Sequence, residues 1–207
     1  MMGKFMQMKS TLFIISGWVI LFIVNKKVNI IPLLCSNGIN KLNGEYYRFI
    51  TGAMLHNDLI HLLVNCFALY WIGYYLERNI GSLKFLIFGI LACILSEVIF
   101  LWIYSEAESS FGGSTFTFAF IGLILVLQFL RPELQRLKLG TLCGNCIFIY
   151  GIFSNIPSFY FIDITTVISH SISLSVGALL GTLAILIIKK SNLFISLLKN
   201  RRGKLNE

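Results

Sequence analysis

Six long apolar runs constrain this chain more than any other feature. They lie at about residues 11–24, 59–76, 83–104, 114–130, 139–156 and 166–188. About 20 apolar residues suffice for one helix to cross a bilayer, and a helix satisfies its own backbone hydrogen bonds in lipid. Of the 207 residues, 57% are hydrophobic and only 13% are charged, against about 25% charged in a typical soluble domain. We therefore expect an all-α membrane protein with six transmembrane helices in a single domain.

Charged residues between the runs predict the orientation. The connections after the second and fourth runs contain several basic residues, whereas those after the third and fifth contain acidic residues and no Lys or Arg. Loops rich in Lys and Arg stay on the cytoplasmic side, so both termini are predicted to be cytoplasmic. The connection after the first run is an exception, with Lys26, Lys27, Lys41 and Arg48. No small-residue cleavage site follows the first run, so we interpret it as a retained span and not as a signal peptide.

A basic segment, residues 189–207, follows the sixth run, and the net charge of the chain is +8. After a membrane span, such a segment is typical of a cytoplasmic tail that faces anionic lipid, and no nucleic-acid recognition module accompanies it. Among the five cysteines, Cys143 and Cys146 form a C-x-x-C pair. A second pair or a nearby histidine would indicate a metal site, and neither is present. We expect the bilayer as a partner, and no nucleic acid, metal or other cofactor.

Polar side chains inside the apolar runs are the candidate functional residues. His61 and Asn65 are four residues apart in the second run, so they share one face of a helix. His56 precedes them and lies off that face. Polar and ionisable groups at membrane depth are costly and usually functional, although a single membrane histidine is more often a packing partner between helices.

Ser114 is the second candidate, because it follows two glycines at the start of the fourth run. Gly112 and Gly113 permit close backbone approach and unusual dihedral angles. The N–H of a residue at a helix N-terminus has no acceptor within the helix, so it can bind a developing oxyanion. Non-helical backbone at this depth is tolerated beside a water-filled cavity, which hydrolysis also requires.

Small residues predict that the fourth and sixth runs pack together. His170 begins a helical stripe that continues with Ser173, Gly177 and Gly181. A face of the fourth run carries Ser114, Phe118 and Gly122. Small residues allow two membrane helices to approach closely. Where these faces meet, His170 can take the proton of Ser114, and the side chains of His61 and Asn65 can stabilise the oxyanion.

Taken together, these residues resemble the rhomboid family of intramembrane serine proteases. The patterns of that family occur here in order: an arginine at Arg48, H-x-x-x-x-H-x-x-x-N at His56, His61 and Asn65, E-R-x-x-G-S at residues 77–82, G-x-S at residues 112–114 with Gly122 downstream, and a histidine at His170 with Gly177 and Gly181. The resemblance covers about residues 46–190, and several linked motifs in order make it specific.

The resemblance implies a six-helix rhomboid-like bundle in the cell membrane. It implies a serine endopeptidase that cleaves transmembrane proteins in or near their spans, with Ser114 as nucleophile, His170 as general base and no acidic third member. It implies that His61, Asn65 and the backbone of Ser114 bind the oxyanion. His56 is expected to support them by hydrogen bonding and packing, and the site is expected to open on the extracytoplasmic side.

Three residues depart from the family pattern. Thr115 follows the nucleophile where glycine is common, and its β-branched side chain is expected to crowd the site or narrow substrate entry. Ser173 replaces a glycine three residues after His170 and leaves slightly less room. Phe118 replaces a tyrosine, so its ring can still pack on His170 but carries no hydroxyl.

Other classes of protein explain parts of the sequence. An inactive rhomboid-like protein would bind membrane clients without cutting them, but such relatives usually lack the serine or the histidine. A transporter or channel would line a polar path with His61, Asn65 and His170, and Glu97 is the only further charge well inside a span. A zinc metalloprotease is disfavoured because no H-E-x-x-H motif occurs.

Overall fold

The computed structural model describes residues 8–107, 109–156 and 163–203, with side chains as far as residue 188. Within these residues lie six helices of at least 12 residues. We number them α1 to α6 in chain order: Lys9–Val28, Leu59–Ile80, Ser82–Ile103, Ser114–Leu130, Leu142–Phe153 and Ile164–Gly203. Four short helical turns between α1 and α2 lie at Ile31–Leu34, Ile39–Lys41, Arg48–Thr51 and Gly52–Met54. Since the described residues contain no strand beyond an isolated bridge, the predicted all-α class is confirmed.

Helix length separates two groups. The helices α1, α2 and α3 and the Ile164–Ile188 part of α6 are long and apolar enough to cross a membrane. The apolar helices α4 and α5 have 17 and 12 residues, so they are about 26 and 18 Å long, against about 30 Å for the hydrocarbon core of a bilayer. The chain is thus a multi-pass membrane protein, and the count of six spans stays a prediction.

Three helices continue beyond their apolar runs. α1 runs to Val28 through Lys26 and Lys27, α2 runs to Ile80 through Arg78, and α6 runs to Gly203 through the predicted basic segment. Basic side chains near a helix C-terminus interact favourably with the helix dipole, so the helix need not end where the apolar residues end.

α5 is shorter than its apolar run. It begins at Leu142, where the hydroxyl of Thr141 accepts the N–H of Gly144 at 3.1 Å, and it ends at Phe153. The threonine cap explains the late start, because it satisfies an N–H that lacks an acceptor within the helix. The predicted stop at Pro157 lies outside the described residues.

Arg48 orders the segment between α1 and α2. Its guanidinium is buried, pairs with Glu45 at 2.7 Å, and donates to the carbonyl oxygens of Pro32 and Cys35 at 3.0 and 2.8 Å. One guanidinium has five N–H donors in a rigid fork, so it can satisfy several loop carbonyls at once. This basic residue is therefore part of the folded loop.

Glu77 joins the end of α2 to the start of α1. Its buried carboxylate accepts the backbone N–H groups of Ser10 and Thr11, both at 2.9 Å, and the Thr11 hydroxyl at 2.5 Å. Negative charge at a helix N-terminus is stabilising, and these N–H groups lack acceptors within α1. Gly81 then turns the chain into α3 at φ 87°, where glycine is favoured. The E-R-x-x-G-S segment thus connects three helices.

Glycines bring the backbones of α4 and α6 into direct contact. A Cβ atom at Gly122 would overlap the carbonyl oxygen of Leu174, and one at Gly177 would overlap the carbonyl oxygen of Ala119. No side chain can therefore lie between the two helices at these points. The two faces that the sequence pairs do meet, and this contact places His170 beside α4.

Asp163 caps the N-terminus of α6, and its removal is expected to destabilise that helix. Its carboxylate accepts the Thr166 N–H and the Thr165 hydroxyl, both at 2.8 Å. The Thr166 N–H, which donates to the charged form, lowers the pKa of Asp163. We expect Asp163→Ala to cost about 1 kcal/mol of stability and Asp163→Asn to cost less, since asparagine also caps helices.

The pH dependence of thermal unfolding in detergent checks this expectation. Because the folded-state pKa of Asp163 lies below its unfolded value, the contribution of its charge is present above the ordinary aspartate pKa. It is lost as pH falls through the folded-state value. The difference between wild type and Asp163→Asn should therefore shrink in acid, and a difference that grows in acid would contradict this role.

Candidate active site

The polar residues singled out above lie near the N-termini of three helices. His61 and Asn65 are in the first two turns of α2, Ser114 is the first residue of α4, and His170 is the seventh residue of α6. Because α3 and α5 return the chain between them, these three N-termini lie at the same end of the bundle. Helix N-termini carry partial positive charge, which favours an anionic intermediate at that end.

Ser114 and the ring of His61 border the same space at Gly112. Gly112, two residues earlier, has φ 144°, a conformation that glycine adopts without strain. A Cβ atom at Gly112 would lie 3.1 Å from Cε1 of His61, 3.3 Å from its Nε2, and 3.6 Å from Oγ of Ser114. The imidazole and the serine hydroxyl therefore border the same space, which only a glycine leaves open. Ser114 is half-buried.

Gly113, the other glycine of the motif, faces α1. A Cβ atom there would lie 2.6 Å from the ring of Trp18, which is fully buried. The two glycines thus serve different purposes, since Gly112 makes room for His61 and Gly113 makes room for α1.

His170 is held on two sides. Its ring stacks on Phe118, with the ring centroids 4.0 Å apart and the planes at 14°. Its Nδ1 lies 3.1 Å from Oδ1 of Asn155, which follows α5. With only 4% of its surface exposed, the imidazole has little freedom to rotate. The predicted packing of Phe118 on His170 is thus present.

Phe118 relates His170 to Ser114, because it stacks on His170 and lies on the same helix as Ser114. Phe118 lies one helical turn after Ser114 on α4. Among the described residues, no hydrogen bond joins the Ser114 hydroxyl to His170. Catalytic hydrogen bonds are often long without substrate and shorten in the complex. The structure therefore places Ser114 and His170 on facing helices, one turn apart.

Asn65 belongs to a buried hydrogen-bond network. Its Nδ2 donates to the His61 carbonyl at 3.0 Å, so its Oδ1 faces Tyr150, whose hydroxyl donates to it at 2.8 Å. The Thr117 hydroxyl lies 2.6 Å from that of Tyr150 and 2.9 Å from the Ser114 carbonyl oxygen, to which it donates. The second N–H of Asn65 then has no acceptor among the described residues and is available to an oxyanion. Sequence reasoning missed Tyr150 and Thr117.

His56 contributes packing. Its ring lies edge-on to His61 at 4.9 Å and to Trp18 at 5.1 Å, and it is 1% exposed. Neither of its ring nitrogens has a hydrogen-bond partner among the residues that the structure describes. The hydrogen bonding expected of His56 is therefore not found there, whereas its packing against His61 is.

Thr115 points away from Ser114. Its buried hydroxyl donates to the carboxylate of Glu97 on α3 at 3.4 Å, and the Ser110 hydroxyl donates to the same carboxylate at 3.2 Å. Glu97, the charge that a transporter would place on a polar path, is thus hydrogen-bonded to Ser110 before Ser114 and to Thr115 after it. The expected crowding is not observed, because the β-branched side chain faces α3.

Ser173 also leaves the space around His170 open. Its hydroxyl donates to the Ser169 carbonyl one turn earlier, at 2.9 Å, and the side chain is 1% exposed. The hydroxyl is thus satisfied within α6, as serine often is in membrane helices.

The fold and the polar cluster define the class of protein: a multi-pass helical membrane protein with a serine and three histidines at one end of its bundle. Residues 43–191 match the rhomboid domain family, well over half of the chain. The chain belongs to the rhomboid family.

Individual relatives agree with this assignment and include both active and inactive proteins. Inactive RHOMBOID-like protein 8 of Arabidopsis thaliana is 30% identical over 100 residues, 48% of this chain and 28% of that protein. Rhomboid protease GluP of Bacillus subtilis (strain 168) is 30% identical over 98 residues, 47% of this chain and 19% of that protein. Rhomboid protease AarA of Providencia stuartii is 37% identical over 73 residues, 33% of this chain and 25% of that protein. The matches thus cover between about a fifth and just over a quarter of these relatives.

Proposed function

We propose that this chain is an intramembrane serine endopeptidase that cleaves transmembrane proteins in or near their membrane spans. The observation that carries the proposal is the position of Ser114 at the N-terminus of α4, beside the His61 ring and one turn from the Phe118–His170 stack. A histidine that only packs between helices does not require a neighbouring serine whose backbone N–H lacks an acceptor at a helix N-terminus. A transporter does not require an imidazole that is held in one tautomer.

In the proposed reaction, Nε2 of His170 takes the proton of Ser114 as Oγ attacks the peptide carbonyl carbon. The Ser114 N–H and the available N–H of Asn65 bind the oxyanion, each such donor being worth about 10²–10³ in rate. His61 joins them only when its Nε2 carries a hydrogen; its Nδ1 lies 3.4 Å from Oδ1 of Asn57, which can only accept. The proton passes from His170 to the leaving amine, and water releases the acyl group by the reverse steps.

The proposed arrangement has six spans in the cell membrane, with both termini cytoplasmic and the site open to the extracytoplasmic side. The basic residues in the connections after α2 and α4, and their absence after α3 and α5, support it. The connection after α1, with Lys26, Lys27, Lys41 and Arg48, is the exception.

The experiment reconstitutes the protein in liposomes with a model transmembrane substrate and then treats it with a fluorophosphonate. We expect cleavage before treatment, loss of cleavage afterwards, and one covalent adduct, located by peptide mapping on Ser114. Protein denatured before treatment is the control and should not react. Substrate binding without cleavage would instead favour an inactive client-binding protein, and an adduct on another serine would contradict the assigned nucleophile.

A further inference from the structure

Asn155 has no role in a two-residue Ser–His mechanism, yet its Oδ1 lies 3.1 Å from Nδ1 of His170. We propose that Asn155 is a positioning residue that holds His170 as the Nδ1–H tautomer, so that the site works as a Ser–His–Asn arrangement. This inference rests on the proposed function and adds a third member to its mechanism.

The orientation of the Asn155 carboxamide follows from its other hydrogen bond. Its Nδ2 donates to the carbonyl oxygen of Gly151 at 2.7 Å. A carbonyl oxygen only accepts, so the amide nitrogen must lie on that side and Oδ1 must face His170. Because Oδ1 also only accepts, Nδ1 of His170 must carry the hydrogen.

A neutral imidazole has one N–H, so its other nitrogen is an acceptor. With the hydrogen on Nδ1, the lone pair is on Nε2, the state in which Nε2 can take the proton of Ser114. The stack on Phe118 fixes the plane of the ring, and Oδ1 of Asn155 accepts the hydrogen on its Nδ1 edge. The backbone carbonyl of Ser154 is a second acceptor beside the ring.

The third member is an amide and not a carboxylate. Among the described residues, no acid hydrogen-bonds to His170: Glu97 binds Ser110 and Thr115, and Asp163 binds the first turn of α6. The other titratable side chains of the site are His61 on α2 and Tyr150 on α5. An amide selects the tautomer but stabilises the imidazolium less than a carboxylate does, so its loss should cost less than the ~10⁴-fold known for a buried aspartate.

Variants at Asn155 test the inference through kcat and pH. We expect Asn155→Ala to lower kcat about 10- to 10²-fold with little change in KM. Asn155→Asp restores an acceptor, so it should be more active than Asn155→Ala. Its carboxylate should also stabilise the imidazolium and move the acidic limb of the kcat/KM profile to higher pH. A residue needed only for packing would leave the tautomer of His170 unchanged in Asn155→Ala.

Asn79 supplies the matched control. Its Nδ2 donates to the carbonyl oxygen of Tyr75, four residues earlier, at 2.6 Å, as Nδ2 of Asn155 does to Gly151. Asn79 lies near the C-terminal end of α2, whereas His61 lies near its N-terminal end. Asn79→Ala should therefore leave kcat and the pH profile unchanged. Wild-type kcat in Asn155→Ala, or an Asn155→Asp profile identical to that of wild type, would overturn the inference.

Nitrogen NMR gives a readout that does not depend on activity. The chain has three histidines, so ¹⁵N-histidine spectra can be assigned by comparison with His170→Ala. We expect the Nδ1–H tautomer at His170 in wild type and a mixture in Asn155→Ala, whereas a wild-type Nε2–H tautomer would refute the inference even in an active enzyme. An inactive wild type with the Nδ1–H tautomer would contradict the proposed function and support the role of Asn155.

Discussion

Alanine at Ser114 and alanine at His170 should each lower kcat for a transmembrane substrate by about 10⁴-fold or more, with KM little changed. In the proposed mechanism, Ser114 supplies the bond-forming oxygen, and the buried His170 ring, stacked on Phe118, accepts its proton. Interactions made only in the transition state affect kcat and leave substrate binding intact.

The double variant distinguishes a dyad from two independent contributions. Residues that act as one catalytic unit are strongly non-additive, so Ser114→Ala/His170→Ala should be no slower than the slower single variant. Ser175→Ala is a matched control, since this exposed serine of α6 donates only to the Ser171 carbonyl one turn earlier among the described residues. Initial rates in liposomes give the measurement. Additive losses would show that the two residues contribute independently, and Ser114→Ala at the wild-type rate would show that another group is the nucleophile.

The sequence predicted the features that depend on local pattern. The bounds of α3 and α4 followed their apolar runs to within one residue. The contact between α4 and α6 followed the spacing of Gly122, Gly177 and Gly181, because Gly122 and Gly177 face backbone and Gly181 faces the side chain of Leu123. Ser114 at the first position of α4 followed from the two glycines before an apolar run.

The residues that support the site depend on how α5 is rotated against its neighbours, and no local pattern fixes that rotation. Tyr150 is one aromatic residue in an apolar helix, and Asn155 is an ordinary polar residue beside a turn. They gain their chemistry only when α5 brings them to Asn65 and His170. The one available signal was that both are polar residues toward the end of the fifth run, at the same end of the bundle as Ser114.

At Thr115 the comparison with the family pattern predicted crowding beside Ser114, and the structure does not show it. A β-branched residue beside a nucleophile crowds it only when the side chain points the same way. Successive side chains of an α-helix point about 100° apart, and here Glu97 supplies an acceptor on the α3 side. The pairing of Thr115 with a buried carboxylate in another helix is a tertiary fact, so only the structure reveals it.

Alanine at Gly177 should separate α4 from α6 and lower both stability and activity. The added methyl group would overlap the carbonyl of Ala119, and a backbone atom cannot rotate away as a side chain can. Overpacking typically costs about 1–3 kcal/mol, and contact with backbone should reach the upper end. A loss of about 3 kcal/mol lowers Tm by about 6–12 °C in a chain of this size. Moving His170 by about 1 Å from Ser114 would cost about 10²-fold in rate.

Gly151→Ala is the matched control, because it also adds one methyl group to a helix glycine near the site. The nearest atom to a Cβ there is Cδ1 of Ile121 at 3.9 Å, an ordinary contact. Alanine favours helix over glycine by up to about 1 kcal/mol, so Gly151→Ala should unfold at the same or a higher temperature and retain cleavage. Thermal unfolding in detergent and cleavage in liposomes measure both variants. If Gly177→Ala matched wild type in both, the direct backbone contact that places His170 beside α4 would be wrong.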